Sequence, residues 1–277
     1  MPSQTEKAGR FRKLHDGPGA FVIPNPWDAG TARILEQLGF EALTTTSAGF
    51  AFTLGRRDGR VTRDEALANA RAIVEATSLP VAADLENGYG AAPELAAETI
   101  RQAGGVGLVG GSIEDSSGDP DRPIYDFPHA VERITAAVEA ARALPFPFML
   151  VARAENFLHR RPDLDDTIRR LQAFEAAGAD VLFAPGLTRA DDIRRVCAAV
   201  GKPVNVIMGL QGAVFSVPEL ADMGVRRISV GSALTRAALG AFVRAAREIR
   251  ERGTFTFAAD AIPFAQVSEF MSPSSEP

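Results

Sequence analysis

Residues 80–115 read PVAADLENGYGAAPELAAETIRQAGGVGLVGGSIED, and this stretch decides the fold. Residues 80–86 are a short apolar run that ends on Asp84 and Glu86. Residues 93–102 follow with helical spacing and open on Pro93, which suits a first helical turn because its missing N–H would have no partner there. Gly104 stands where that helix should stop, since helix ends favour a residue free to turn left-handed. Residues 106–114 form a second apolar run, again ending on an acid, Glu114. Strand, helix and strand in this order make the repeating unit of a parallel sheet.

Working outward, the same alternation fills the chain. Candidate strands are 21–26, 42–47, 80–86, 106–114, 148–155, 180–185, 203–208 and 227–231. Helical patterns lie at 31–38, 62–76, 93–102, 128–144, 164–177, 190–200, 218–223 and 233–252. The second opens with Thr62 and Glu65 in capping-box spacing. Eight strand–helix units predict an α/β fold, a single (β/α)8 TIM barrel. The strands are continuously apolar, as expected when both faces are buried. An open doubly wound sheet is the alternative, but no Gly-x-Gly-x-x-Gly follows the first strand. No linker divides the chain, so residues 1–253 are read as one barrel catalytic domain. Residues 254–277 are read as a C-terminal arm and tail. Within them, 254–270 are an additional helix or packing arm, and 272–277 are expected to be disordered.

Composition removes several classes. Lys+Arg 30 against Asp+Glu 35 gives a net charge of -5, which is not the basic footprint of a nucleic-acid binder. No apolar run approaches the roughly 18 residues that span a bilayer, so no membrane partner is expected. Residues 1–19 are polar and lack the apolar core of a signal peptide. The single cysteine, Cys197, excludes an internal disulfide and a cysteine-based zinc site and suits a reducing, cytoplasmic location.

Barrel chemistry sits at the carboxyl ends of the strands. The second strand ends at Thr46 and Ser47, and Asp58 follows in the loop 48–60. The third ends at Asp84, Glu86 and Tyr89, the fourth at Glu114 and Asp115, the fifth at Arg153 and Glu155, and the seventh carries Asn205. Asp84 and Glu86 are two apart, so on a strand their side chains share a face. Carboxylates gathered on adjacent strands repel unless a cation neutralises them. An all-oxygen donor set favours Mg²⁺, with Mn²⁺ as its substitute, over zinc. Beside such a site Arg153 is a bidentate clamp for a carboxylate or phosphate. Acids at strand ends also cap helices or pair with arginine, so the cation reading rests on their gathering and not on any one of them. A Schiff-base mechanism needs a lysine inside the barrel. Lys7 and Lys13 are in the N-terminal tail and Lys202 precedes the seventh strand, at the wrong end. His15 and His129 read as structural or exposed, whereas His159 follows the fifth strand and can reach the site. The turn 231–233 opens the last helix, where phosphate can bind.

Residues 46–48, Leu54, Gly55, Asp58, the run 84–90, Ile113-Glu114-Asp115 and Ala152-Arg153-Ala154-Glu155 resemble, in order and spacing, the isocitrate lyase/phosphoenolpyruvate mutase superfamily. The resemblance covers roughly residues 21–252. It implies a Mg²⁺-bound α-keto or enol acid, with Asp84 as direct metal ligand, Glu86 and Glu114 bound directly or through water, and Asp58 helping from its loop. It further implies that Arg153 holds the substrate carboxylate, and that Thr46 and the amides of Ser47 and Ala48 face the substrate oxygens. Asn205 and Tyr89 are further candidates for the pocket wall. A homo-oligomer, dimer or tetramer, is implied too, often with the last helix exchanged between subunits.

The departures narrow the chemistry. Isocitrate and methylisocitrate lyases carry a Lys-x-Cys-Gly-His loop, whereas residues 115–120 here read DSSGDP. The lysine- and asparagine-bearing loop of the phosphonate enzymes is not evident either. Glu86 replaces the aspartate usual in much of the family. What survives is formation of a pyruvate-enolate-like intermediate from a small 2-oxo or 2-hydroxy di- or tricarboxylic acid. That is a Mg²⁺-dependent carbon–carbon lyase, oxaloacetate decarboxylase-like or malate-type. Retro-aldol cleavage also needs a base, for which Tyr89, Glu155 and His159 are candidates. A phosphonate P–C enzyme and a non-catalytic barrel that only binds a keto acid are the alternatives.

Overall fold

The computed structural model describes residues 1–212 and 214–272; the last residues of the expected tail, 273–277, lie outside the described residues. Eight parallel strands form the sheet, in the order β1-β8-β7-β6-β5-β4-β3-β2. They are β1 (Phe21–Ile23), β2 (Leu43–Thr44), β3 (Val81–Asp84), β4 (Gly110–Glu114), β5 (Met149–Arg153), β6 (Val181–Phe183), β7 (Val204–Ile207) and β8 (Arg227–Ser229). The seam between β1 and β2 is closed by the Thr44 amide, which donates to the Pro24 carbonyl at 3.1 Å. Buried Asn25 reinforces it: its Nδ2 donates to Thr45 O at 2.9 Å, and its Oδ1 accepts from the amides of Val230 and Gly231, both at 2.9 Å. The (β/α)8 barrel read from the sequence is the observed fold.

Around it run α2 (Ala29–Gln37), α3 (Ser47–Thr53), α4 (Arg63–Ala76), α5 (Pro93–Gly105), α6 (Phe127–Arg142), α7 (Leu164–Ala176), α8 (Ala190–Ala199) and α9 (Val217–Asp222). Leu67, Ile73, Ile100, Ile134, Leu171 and Phe174 on these helices meet the outer faces of the strands in one continuous core.

Three features differ from the sequence reading. The polar N-terminus is not a tail. It forms α1 (Gln4–Asp16), started by a reciprocal Ser3–Glu6 capping box. Phe11 on this helix is fully buried and plugs the barrel floor against Ile23, Ala82, Val109, Met149 and Val151. Gly110 makes room for it, since a Cβ there would meet the Phe11 ring edge at 2.9 Å. Lys7 is buried on this helix, where its amine donates to Thr77 O at 2.8 Å. His15 is buried too, and desolvation, then the nearby Arg227 charge, push its pKa down to about 3.

The second difference is α3, a seven-residue helix inside the stretch read as a loop. Its first residue, Ser47, also belongs to the site described below. The third is α10 (Ala233–Arg252), expected as the eighth barrel helix. Thr235 is its one buried residue, while Leu239, Phe242, Val243 and Ile249 are exposed. The helix therefore stands away from its own barrel. After a short 3-10 turn at Thr256–Asp260, α11 (Phe264–Met271) returns to the barrel. It is held at α2 by Arg33, whose Nη1 donates to Met271 O at 2.9 Å, and by Gln37, whose Nε2 donates to Phe270 O at 3.0 Å. Among the described residues no helix is long and apolar enough to cross a membrane.

Candidate active site

Asp84, Glu114 and Arg153 are the last residues of β3, β4 and β5, three neighbouring strands. Register sets Glu114 beside Arg153 and Asp84 beside Ser112. The pleat turns all three inward at the carboxyl mouth, where they line one cavity of about 370 Å³. Arg153 is its hub. Nη1 meets Asp84 Oδ1 at 2.8 Å, Nη2 meets Glu114 Oε2 at 3.0 Å, and Nε donates to Glu155 Oε1 at 2.9 Å. A guanidinium has five N–H groups. Nε and Nη1 donate hydrogen bonds here while Nη2 makes an ion pair, so the fork keeps N–H capacity for a further oxygen.

Ser47 secures Asp84 from the other side. Its amide and Oγ donate to Asp84 Oδ2 at 3.3 and 2.9 Å, and the same Oγ lies 3.2 Å from Asp58 Oδ1. Thr46 lines the cavity, but its hydroxyl caps α3 by accepting the Gly49 amide at 3.1 Å. Ala48 also lines the mouth.

Glu86 joins the group by a route other than strand alternation. β3 has already ended, and Glu86 sits at φ 49, in the left-handed region that non-glycine residues rarely occupy. That turn brings it to the same cavity as Asp84. Its Oε1 is buried without a hydrogen-bond partner. Burial, then the charges of Asp84 and Asp58, push the Glu86 pKa up to about 7. Burial and Asp84 also raise Asp58, and burial raises Glu114 well above its ordinary value despite Arg153.

These observations bear on a cation. Asp58, Asp84, Glu86, Glu114 and Glu155 share one cavity with a single guanidinium. The donor set is all oxygen, Asp58, Glu86, Glu114 and Glu155 are held towards their neutral forms, and one buried oxygen of Glu86 is orphaned. Such residues fit a hard divalent ion. Among the described residues no three metal-binding side chains form a ready-made cage. A cation of the Mg²⁺ type does not need one, because it binds one or two carboxylates and keeps water.

Not every expected residue faces the mouth. Asp115, next to Glu114, turns outward to Arg170 at 2.9 Å and accepts the Glu155 amide at 2.8 Å, so it braces the site from behind. Tyr89 lines an adjoining cavity shared with Glu86 and Glu114, where burial raises its pKa. Asn205 is buried below the mouth, with Nδ2 donating to Ser229 Oγ at 3.1 Å. His159 does line the mouth, and its Nε2 lies 3.1 Å from Ser116 Oγ. Ser116 escaped the sequence reading because only the folding of the loops after β4 and β5 brings it to His159.

Comparison with known proteins gives the family. The family profile described as phosphoenolpyruvate phosphomutase matches residues 11–250. The chain belongs to the isocitrate lyase/phosphoenolpyruvate mutase superfamily. It is 31% identical to a 2-methylisocitrate lyase of Shewanella oneidensis over 90% of this chain and 87% of that one. It is 30% identical to an oxaloacetate decarboxylase of Bradyrhizobium diazoefficiens over 87% and 84%. A crystal structure from Burkholderia cenocepacia, itself carrying only a provisional lyase/mutase label, superposes with a TM-score of 0.97 at 60% identity over 99% of both chains. This member of the lyase and mutase superfamily has a loop after β4 closed by a bridge between Ser116 and Ile124.

The charge deficit makes a prediction. Mn²⁺ or Mg²⁺ titrated calorimetrically should bind the wild type and fail with Asp84→Asn. A ligating Glu86 must lose its proton, so affinity should fall as pH drops below about 7. Glu86→Gln should flatten that dependence. Binding that ignores pH, or that survives Asp84→Asn, contradicts the reading.

Proposed function

We propose that the chain is a Mg²⁺-dependent carbon–carbon lyase. Its substrate is a small 2-oxo or 2-hydroxy di- or tricarboxylic acid, cleaved through a pyruvate-enolate-like intermediate in an oxaloacetate decarboxylase-like or malate-type reaction. The observation that carries this reading is the convergence of Asp84, Glu114 and Arg153 on adjacent strand ends, beside the orphaned oxygen of Glu86. Asp84 would hold the cation directly, Glu86 and Glu114 directly or through water, and Asp58 from its loop. When bound, a divalent cation supplies Lewis-acid stabilisation of negative charge on a carbonyl oxygen.

The chain's own residues do the remaining work. The remaining N–H capacity of Arg153 takes the substrate carboxylate and fixes its orientation. Ser47 holds Asp84 in place, and the wall at 46–48 faces the substrate oxygens. Of the three candidate bases, Glu155 is buried and engaged by Arg153 Nε. Tyr89 opens on the adjoining cavity and holds its proton tightly. His159 lines the mouth and is oriented by Ser116, which makes it the proton carrier. Decarboxylation needs His159 only to deliver a proton to the carbon left behind. Retro-aldol cleavage needs it to take the hydroxyl proton first.

The profile's phosphomutase description favours a second reading, phosphonate P–C chemistry. Against it, the loop after β4 carries no lysine or asparagine between residues 115 and 120. We further propose a cytoplasmic homo-oligomer, dimer or tetramer, in which the detached α10 packs on a neighbouring barrel. Its exposed apolar residues support this. Light scattering should show the wild type as an oligomer and Phe242→Glu, on the exposed apolar face of α10, as smaller. A full-length monomer contradicts it.

Incubation with Mg²⁺ and a panel of such acids, following pyruvate, tests the activity. Asp84→Ala should abolish turnover, and His159→Asn should lower kcat by about 10²–10⁴-fold, the range of a general acid–base group. Metal-dependent activity that survives Asp84→Ala contradicts the site. Turnover of phosphonopyruvate alone, seen by phosphorus NMR, favours the second reading.

A further inference from the structure

Beneath the carboxylate–arginine cluster the barrel encloses a second, smaller cavity of about 110 Å³. Its roof is Asp84 and Arg153, and its walls include Thr44, Ser112, Asn205 and Arg227. Arg227 opens β8 and is 4% exposed. Among the described residues no carboxylate lies within ion-pair distance of it. Its Nε and Nη1 are buried without hydrogen-bond partners. The ring centre of Phe11 on the barrel floor is 5.8 Å from the guanidinium carbon. Every other buried arginine head in the barrel mouth or its supports has a job: Arg153 holds Asp84 and Glu114, and Arg170 holds Asp115. Arg227 has none.

An isolated buried charge is among the least favourable things a fold can contain. Desolvation lowers the Arg227 pKa to about 9, so the group is still cationic at neutral pH. The cavity beside it has largely apolar walls, among them Val151, Phe183 and Ile207, so its few polar groups stand out: the hydroxyls of Thr44 and Ser112 make no hydrogen bond to described residues, and their protons are free to turn inward. Seating an anion here would pair the guanidinium and engage those donors together. The volume sets the size: it admits an ion of one to a few heavy atoms and excludes a sugar acid.

We propose that this inner cavity is a binding site for a small monovalent inorganic anion, of chloride or bicarbonate type, held by Arg227 with Thr44 and Ser112. It adjoins the cation position at the mouth, since Asp84 and Arg153 line both cavities, but it does not depend on which acid the enzyme cleaves. Chloride and bicarbonate share the chemistry, and separate arms of the test distinguish them.

The test is thermal unfolding of the full chain at constant ionic strength, replacing gluconate stepwise by chloride or by bicarbonate. Tm should rise and saturate with the small anion. A tenfold excess over half-saturation should give about 3–6 °C, while gluconate gives nothing. The anion with the lower half-saturation is the better occupant. Arg227→Met should abolish the response and Arg227→Lys should weaken it. If Arg227→Met does not fold, wild-type crystals soaked in bromide still decide: an anomalous peak beside Arg227 is expected. Equal stability in chloride, bicarbonate and gluconate, or a cavity that holds only water after the bromide soak, overturns the proposal.

Discussion

One guanidinium holds the mouth of this barrel together. Arg153 meets Asp84, Glu114 and Glu155 with its three nitrogens. The attraction is strong because the heads are largely sheltered from water, where charges act over a lower effective dielectric. It is also insufficient. Five carboxylates face one cation, and the pKa values of Asp58, Glu86 and Glu114 all move towards the neutral acid. The site is thus short of positive charge, which is the state that favours a divalent ion and, beyond it, an anionic substrate.

The rest of the fold keeps that cluster in register. β3, β4 and β5 are hydrogen-bonded neighbours, so the spacing of their last residues is fixed by the ladder and not by loops. Below, Phe11 fills the floor where Gly110 leaves room, and Asn25 pins the β1 end to both the β2 and β8 ends. Behind, Asp115 and Arg170 form a buried pair that accepts the Glu155 backbone. Each support acts on an element that carries a site residue, so the cluster does not rely on its own attraction for its shape.

Much of this was legible in the sequence. The alternation of apolar runs with helical spacing is set by burial on both strand faces, and it survives as pattern. Asp84, Glu114 and Arg153 were found because strand ends are where a barrel places chemistry. What escaped depends on shape. α1 offers one large apolar side chain in a polar helix, and only the glycine opposite explains its burial. Glu86 lines the same cavity as Asp84, but a left-handed turn and not strand alternation brings it round. Asp115 looked equivalent to Glu114, yet one step along a pleat reverses the direction of a side chain. The Ser116–His159 contact joins two loops and has no local signal. α10 has ordinary helical spacing, and nothing in that spacing tells which barrel its apolar residues meet.

The account stands on a cation at the Asp84 end of the cluster. A crystal structure grown with Mn²⁺ and oxalate, a mimic of enolpyruvate, tests this most directly through the anomalous signal of the metal. The account predicts a single peak within about 2.5 Å of an Asp84 carboxylate oxygen. Glu86 and Glu114 should reach it directly or through water, and oxalate should lie between it and Arg153. A metal peak elsewhere, or oxalate bound with no metal and the Arg153 pairs undisturbed, would contradict it.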